Sequence, residues 1–225
     1  MTLAGTVRRM AAMGTGRMSA ADRQAWQSAR TLADLGALAA CWLERSITSQ
    51  PGYAAGYGPA EETLPLVPVL AALNRAGYFT NGSQPGMAGR GFDGAHWEQR
   101  AAVEGFASAG LTSALGAAAE RAGLIVIALD PAARPKVRIN GRPAVDVTRR
   151  GGRARTAFGA HLSRAHLYDA HTGYGICRPD AIAAVCGAWQ VTVIDPEWGR
   201  PDVLWAVLAG VISSPRPGAA GTPEP

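Results

Sequence analysis

The residues best placed to do chemistry lie between Glu62 and Pro85, in the stretch ETLPLVPVLAALNRAGYFTNGSQP. It opens on a carboxylate and a hydroxyl, Glu62 and Thr63, and closes on hydroxyls and amides, Thr80, Asn81, Ser83 and Gln84. Such a set offers hydrogen bonding in both directions and one negative charge, which suits holding a polar ligand. The apolar residues after Glu62 predict a helix that stops at the Asn74-Arg75-Ala76-Gly77 turn. A short strand, Tyr78-Phe79-Thr80, then feeds a polar loop, Asn81 to Pro85. Helix, glycine stop, strand and polar loop together build one wall of a ligand pocket. Each residue also has an ordinary role. Glu62 and Thr63 suit a helix N-terminus, Thr80 suits a strand and Ser83 suits a turn.

Three other sets are weaker. His161, His166, His171 and Cys177 are spaced five, five and six apart. That matches neither a helical face nor the paired spacings of zinc ligands, so no metal site is expected. Asp169, His171 and Cys177 contain the types of a nucleophile with its base and orienter. Three such residues so close in one loop seldom reach that geometry. The stretch Tyr168 to Gly175, YDAHTGYG, instead offers glycines and aromatics that can face a ligand. The run Arg149-Arg150-Gly151-Gly152-Arg153-Ala154-Arg155 is the candidate for nucleic-acid contact. Phe158 is its one nearby aromatic, and single-strand binding usually needs more stacking surface than that.

The surrounding elements must position these groups. Residues 1 to 18 read as a flexible leader. Ser19 to Asp22 can cap a helix carrying Trp26. A stronger helix is predicted from about Thr31 to Glu44, with Leu32, Leu35, Leu38, Ala39, Trp42 and Leu43 at helical spacing. A turn-rich loop from Gln50 to Pro59 follows, and Gly86 to Gly94 is a second glycine-rich loop. Asp93 is placed to cap a helix from about Ala95 to Ala107. Leu111 to Ala122 predicts another, ended by Gly123. Leu124 to Leu129 is a β-branched run and predicts a buried strand. Asn140-Gly141 signals a hairpin between Val137–Ile139 and Ala144–Val147. Ala181 to Cys186 is apolar, and Trp189 to Ile194 predicts a strand ending at Asp195-Pro196. Val203 to Ile212 is a core helix or strand, and the tail from Ser213 is too polar and flexible to pack.

The 225 residues suit one globular domain, residues 19–212, with a basic insertion near 131–180. No apolar run reaches the roughly 18 residues of a membrane span, and no secretion signal follows Arg8-Arg9. Cys41, Cys177 and Cys186 form no paired motif, which fits reduced thiols and a cytoplasmic location. The net charge of +5 is almost all arginine; Lys136 is the only lysine. That charge supports loose association with anions and defines no partner.

The Glu62-to-Gln84 block also resembles a family: the C-terminal regulatory domain of methylenetetrahydrofolate reductase, which binds S-adenosylmethionine. The family's helix opens with Glu-Thr, passes an Asn-Arg-x-Gly turn, and enters a strand and loop ending in Ser-Gln-Pro, in that order and without a gap. Leu32 to Glu44 resembles the helix ahead of the family's ligand loop. Gln99 to Phe106 resembles its Gln-Lys-Ala helix, and Val191 to Pro196, with Trp198 and Asp202, its Thr-Val-Val-Asp-Pro strand end. The likeness covers roughly residues 31–129 and 181–210; residues 130–180 do not align. The family's Thr-Trp-Gly segment has no counterpart near Pro179-Asp180. Nothing in the chain resembles the reductase's flavin- and folate-binding barrel.

The resemblance implies an α/β fold, a mixed-sheet core surrounded by helices. It implies a stand-alone domain binding S-adenosylmethionine or S-adenosylhomocysteine through Glu62, Thr63, Thr80, Ser83 and Thr192, with Thr192 on the opposite wall. No flavin or metal is expected. The chain then either senses the nucleoside, with a protein partner in trans, or acts on its sulfonium as a small lyase, cyclase or transferase. Glu62, His96 and Asp195 are the candidate bases. A homo-oligomer stays open, and a nucleic-acid module using Arg149 to Arg155 is the alternative.

Overall fold

The twelve residues His96–Ala107 are the hub of the molecule, and they form a strand. The computed structural model describes residues 17–53, 55–91, 93–133, 144–172 and 177–214, with backbone alone for 169–172. In chain order its helices are α1 Ala20–Ser28, α2 Leu32–Leu43, α3 Val67–Arg75, α4 Ala109–Arg121, α5 Arg164–Thr172, α6 Pro179–Gly187 and α7 Val203–Ser213. The strands are β1 Phe79–Pro85, β2 Ala88–Arg90, β3 His96–Ala107, β4 Ile125–Leu129, β5 Val145–Arg150, β6 Arg153–Phe158 and β7 Trp189–Trp198. They form one curled sheet in the order β4-β7-β3-β5-β6, with β1 and β2 also paired to β3. The expected α/β core with helices around it is present. Every strand pairing among the described residues is antiparallel.

The predicted helix over Ala95–Ala107, and the family helix that Gln99–Phe106 resembles, are corrected by β3. Alanine favours helices, but the segment is buried on both faces. Ala101, Ala102, Val103 and Phe106 are fully inaccessible. Small residues suit a central strand between two packed layers, and tertiary burial outweighs local propensity. Gly105 shows how tight the fit is: a Cβ there would lie 2.4 Å from the Phe79 carbonyl oxygen. Asp93 caps a turn instead, accepting from the Ala95 amide and the Trp97 indole.

The helix starts hold. Ser19 caps α1, and Thr31 with Asp34 forms a full capping box on α2. Glu62 and Thr63 fall instead in a 3-10 turn, Glu61–Leu66, ahead of α3. Pro65 and Pro68 explain the delay, since neither has an amide hydrogen to give and an interior proline breaks an α-helix. The predicted polar loop after Thr80 is strand as far as Pro85.

The sheet carries a core on each face. One layer packs α3, α4 and α7 over Tyr78, Val103, Val191 and Val193. The other packs α1, α2 and α6 over Phe79 and Phe106. The expected hairpin at Asn140-Gly141, with Val137–Ile139, lies outside the described residues. The Arg149–Arg155 run is the tip of the β5–β6 hairpin, with Gly151-Gly152 as its turn. The predicted leader lies outside the described residues up to residue 16, as does the tail from 215. Among the described residues no helix is long and apolar enough to cross a membrane.

Candidate functional site

The outer edge of β1 faces a cleft of about 220 Å³. Trp42 and Leu43 of α2 form one side, Gln50, Tyr53 and Pro59 of the loop a second, and Glu62 and Thr63 of the 3-10 turn a third. Asn74 of α3 and Thr80, Asn81 and Ser83 of β1 complete it. The structure therefore brings Glu62, Thr63, Thr80 and Ser83, distant in sequence by up to 21 positions, onto one lining.

The cleft floor is organised by Asn74, a fully buried side chain in the last turn of α3. Its amide nitrogen donates to the Leu70 carbonyl and to Thr80 Oγ1, both at 2.8 Å. Its amide oxygen accepts from the Thr80 backbone at 3.0 Å. The residue thus ties the end of α3 to the start of β1 and leaves the Thr80 hydroxyl hydrogen free to donate into the cleft. Gly36 lets α2 approach this point; a Cβ there would lie 2.5 Å from the Asn74 carbonyl oxygen.

Among the described residues Glu62 is the only charged one in the lining, within a chain of net charge +5. The aromatic side carries Trp42 and Tyr53, edge to face at 5.2 Å, with Tyr53 exposed at the lip. Hydroxyls, amides, one carboxylate and an aromatic edge make a site for a polar, flat-ringed ligand that is neutral or positive. Among the described residues the lining has no basic side chain to pair with a phosphate.

Thr192 is placed elsewhere. On β3 the odd-numbered residues Ala101 and Val103 face the α3, α4 and α7 layer, and Glu104 faces the other. Thr192 sits opposite Glu104 and shares its face. It is fully buried and donates to Glu104 Oε2 at 3.3 Å. It does not form the opposite wall of the cleft. Glu104 is the centre of a polar cluster that also takes the Gly159 amide at 2.8 Å and the Asn81 side chain at 3.2 Å. Burial pushes its carboxyl above the usual range, and those donors pull it part of the way back. Asn81 is the extra residue of a bulge in β1, so one amide touches both the cleft and this cluster.

Of the candidate bases, only Glu62 lies in the cleft. His96 is at the exposed start of β3, 4.0 Å from Glu98. Asp195 is fully buried and engaged: it accepts from Arg200 at 2.7 Å on both oxygens and from the Glu197 amide. It closes the strand-end turn.

The weaker sets separate. Burial pushes the Cys177 thiol up to about 12, so it is a core group and a poor nucleophile. The side chains of Asp169 and His171 lie outside the described residues. In the arginine run, Arg149 is bonded to both oxygens of Glu98 and Arg150 to Asp93. Arg100 and Arg149 each stack at 4.3 Å on Trp198. Arg153 and Arg155 remain exposed on β6.

Asn74 and Glu104 are residues the sequence reading missed, and Asn81 was read there only as part of the polar loop. A signal existed for Glu104, a lone carboxylate inside AAVEGFA, but the segment read as a helix. The comparisons with known proteins add one finding. The model of a family described as Domain of unknown function (DUF6919) matches residues 21–214. No curated protein matches the chain.

Proposed function

We propose that this chain, which belongs to the DUF6919 family, binds S-adenosylmethionine or S-adenosylhomocysteine in the β1 cleft. The observation that carries the reading is the lining itself. Four of the five residues that the reductase-domain resemblance implies meet there, and the only charged one is Glu62. A sulfonium and an ammonium are costly to desolvate without a nearby anion. Glu62 supplies that anion, Thr63, Thr80 and Ser83 supply neutral donors and acceptors for ribose and carboxylate, and Tyr53 supplies a ring for adenine. Ligand sites for whole drug-sized molecules span roughly 300–1,000 Å³. A cleft of about 220 Å³ holds part of the ligand and leaves the rest at the rim.

The cleft supports binding more directly than turnover. It contains one candidate base, Glu62, and a sulfonium lyase, cyclase or transferase would have to rely on it. Incubating the protein with S-adenosylmethionine and separating the mixture by chromatography decides between the two. Unchanged ligand supports a sensor or carrier; methylthioadenosine, adenosine or homoserine-type products support an enzyme. The nucleic-acid alternative draws on fewer free cations than the sequence offers, because Arg149 and Arg150 are already paired.

A further inference from the structure

A larger concavity lies away from the cleft. A groove of about 730 Å³ runs along α4 toward the end of α7, with the start of α2 and the Ala76-Gly77 turn at one end. Leu32, Leu111, Val211 and Ile212 make it apolar, and the alanines of α4 keep it open. Its volume is within the roughly 300–1,000 Å³ range of small-molecule sites. Among the described residues Arg121 is the only charged one in the lining. It enters no ion pair among the described residues. Capping does not use it either. The Ala122, Gly123 and Leu124 amides already take the last carbonyls of α4, from Ala118, Glu120 and Ala119. A long apolar trough with one uncommitted guanidinium at its end matches an amphiphile of opposite charge. Guanidinium and carboxylate pair well in geometry, and an alkyl chain gains with each buried methylene.

We propose that this groove binds a free long-chain carboxylate, with its chain along α4 and α7 and its head on Arg121. The site is independent of the cleft and of the function proposed there. The test uses the full chain and cis-parinaric acid, a polyene fatty acid that fluoresces in apolar surroundings. The expected result is saturable one-to-one binding. Arg121→Gln should weaken it about fivefold. Saturated acids that displace the probe should lose about fourfold in affinity for each methylene removed. Ala118→Trp should block the groove while the thermal melt stays cooperative, and S-adenosylmethionine should leave the probe in place.

Several outcomes would overturn the proposal. One is the absence of saturable binding. Another is equal affinity for the acid and the matching alcohol, unchanged by Arg121→Gln. A third is binding to anionic vesicles without binding to the free acid. A fourth is a concentration-dependent dimer, abolished by Ala118→Trp, in a protein that ignores the probe; the groove would then be an interface between copies of this chain.

Discussion

Replacing Asn74 by alanine tests how the cleft is held together. The side chain is fully buried and makes three hydrogen bonds, to Leu70, to the Thr80 hydroxyl and from the Thr80 amide. The bond to Leu70 is the least consequential, because that carbonyl lies within α3 and has a helical partner of its own. Loss of the other two leaves the Thr80 amide without its acceptor and forfeits one hydroxyl contact. A net bond is worth roughly 0.5–1.5 kcal/mol, and a buried group left unpaired costs roughly 1–3 kcal/mol. The sum is about 1.5–4.5 kcal/mol, a large share of the roughly 5–15 kcal/mol typical of a domain. Urea unfolding should show the midpoint falling with an unchanged slope. A double-mutant cycle with Thr80→Val, which keeps the amide and removes the hydroxyl, should give a coupling of about 0.5–1.5 kcal/mol. A loss below about 0.5 kcal/mol for Asn74→Ala, or strictly additive mutants, would refute the argument that this pair fixes β1 against α3.

Other perturbations follow from the same geometry. The Glu104 carboxyl is raised by burial in the folded state, so folding favours its protonated form. Its contribution is fully present below the ordinary glutamate value and is lost as pH rises through the folded one. Wild-type stability relative to Glu104→Gln should therefore decline from acid toward neutral pH; urea unfolding at several pH values checks this, and a relative rise would contradict it. Arg200→Ala should cost about 2–4 kcal/mol, since it strips two bonds from the buried Asp195 carboxylate; a calorimetric melt that barely moves would contradict that role. Arg153→Ala combined with Arg155→Ala should leave nucleoside binding unchanged. If it instead abolishes tight, salt-dependent DNA binding, the nucleic-acid reading gains over the nucleoside one.

The elements with strong end signals were legible in the sequence. Ser19 announces α1, the apolar spacing from Leu32 to Leu43 announces α2, and β-branched residues announce β4 and β7. The central strand was not. Its alanines read as helix because local propensity cannot register a layer packed on each face, and much of that burial comes from α3, α6 and α7, remote in sequence. The cleft was half legible. Glu62, Thr63, Thr80 and Ser83 fall within one short block, whereas Trp42 and Tyr53 join them only through the fold. Thr192 was assigned to the cleft by resemblance alone. Side-chain alternation along β7, in register with β3, turns it onto Glu104 and leaves it out of the cleft lining. Locating it required the register, which sequence does not supply.

The most direct measurement is calorimetric titration of wild type and Glu62→Gln with S-adenosylmethionine and with S-adenosylhomocysteine, which lacks the sulfonium charge. A unit charge about 5 Å from Glu62 interacts by roughly 1–3 kcal/mol, and the partial exposure of Glu62 favours the lower end. Wild type should therefore prefer S-adenosylmethionine about fivefold, and Glu62→Gln should bind the two almost equally. Binding of neither ligand, or a preference that survives Glu62→Gln unchanged, would contradict the account.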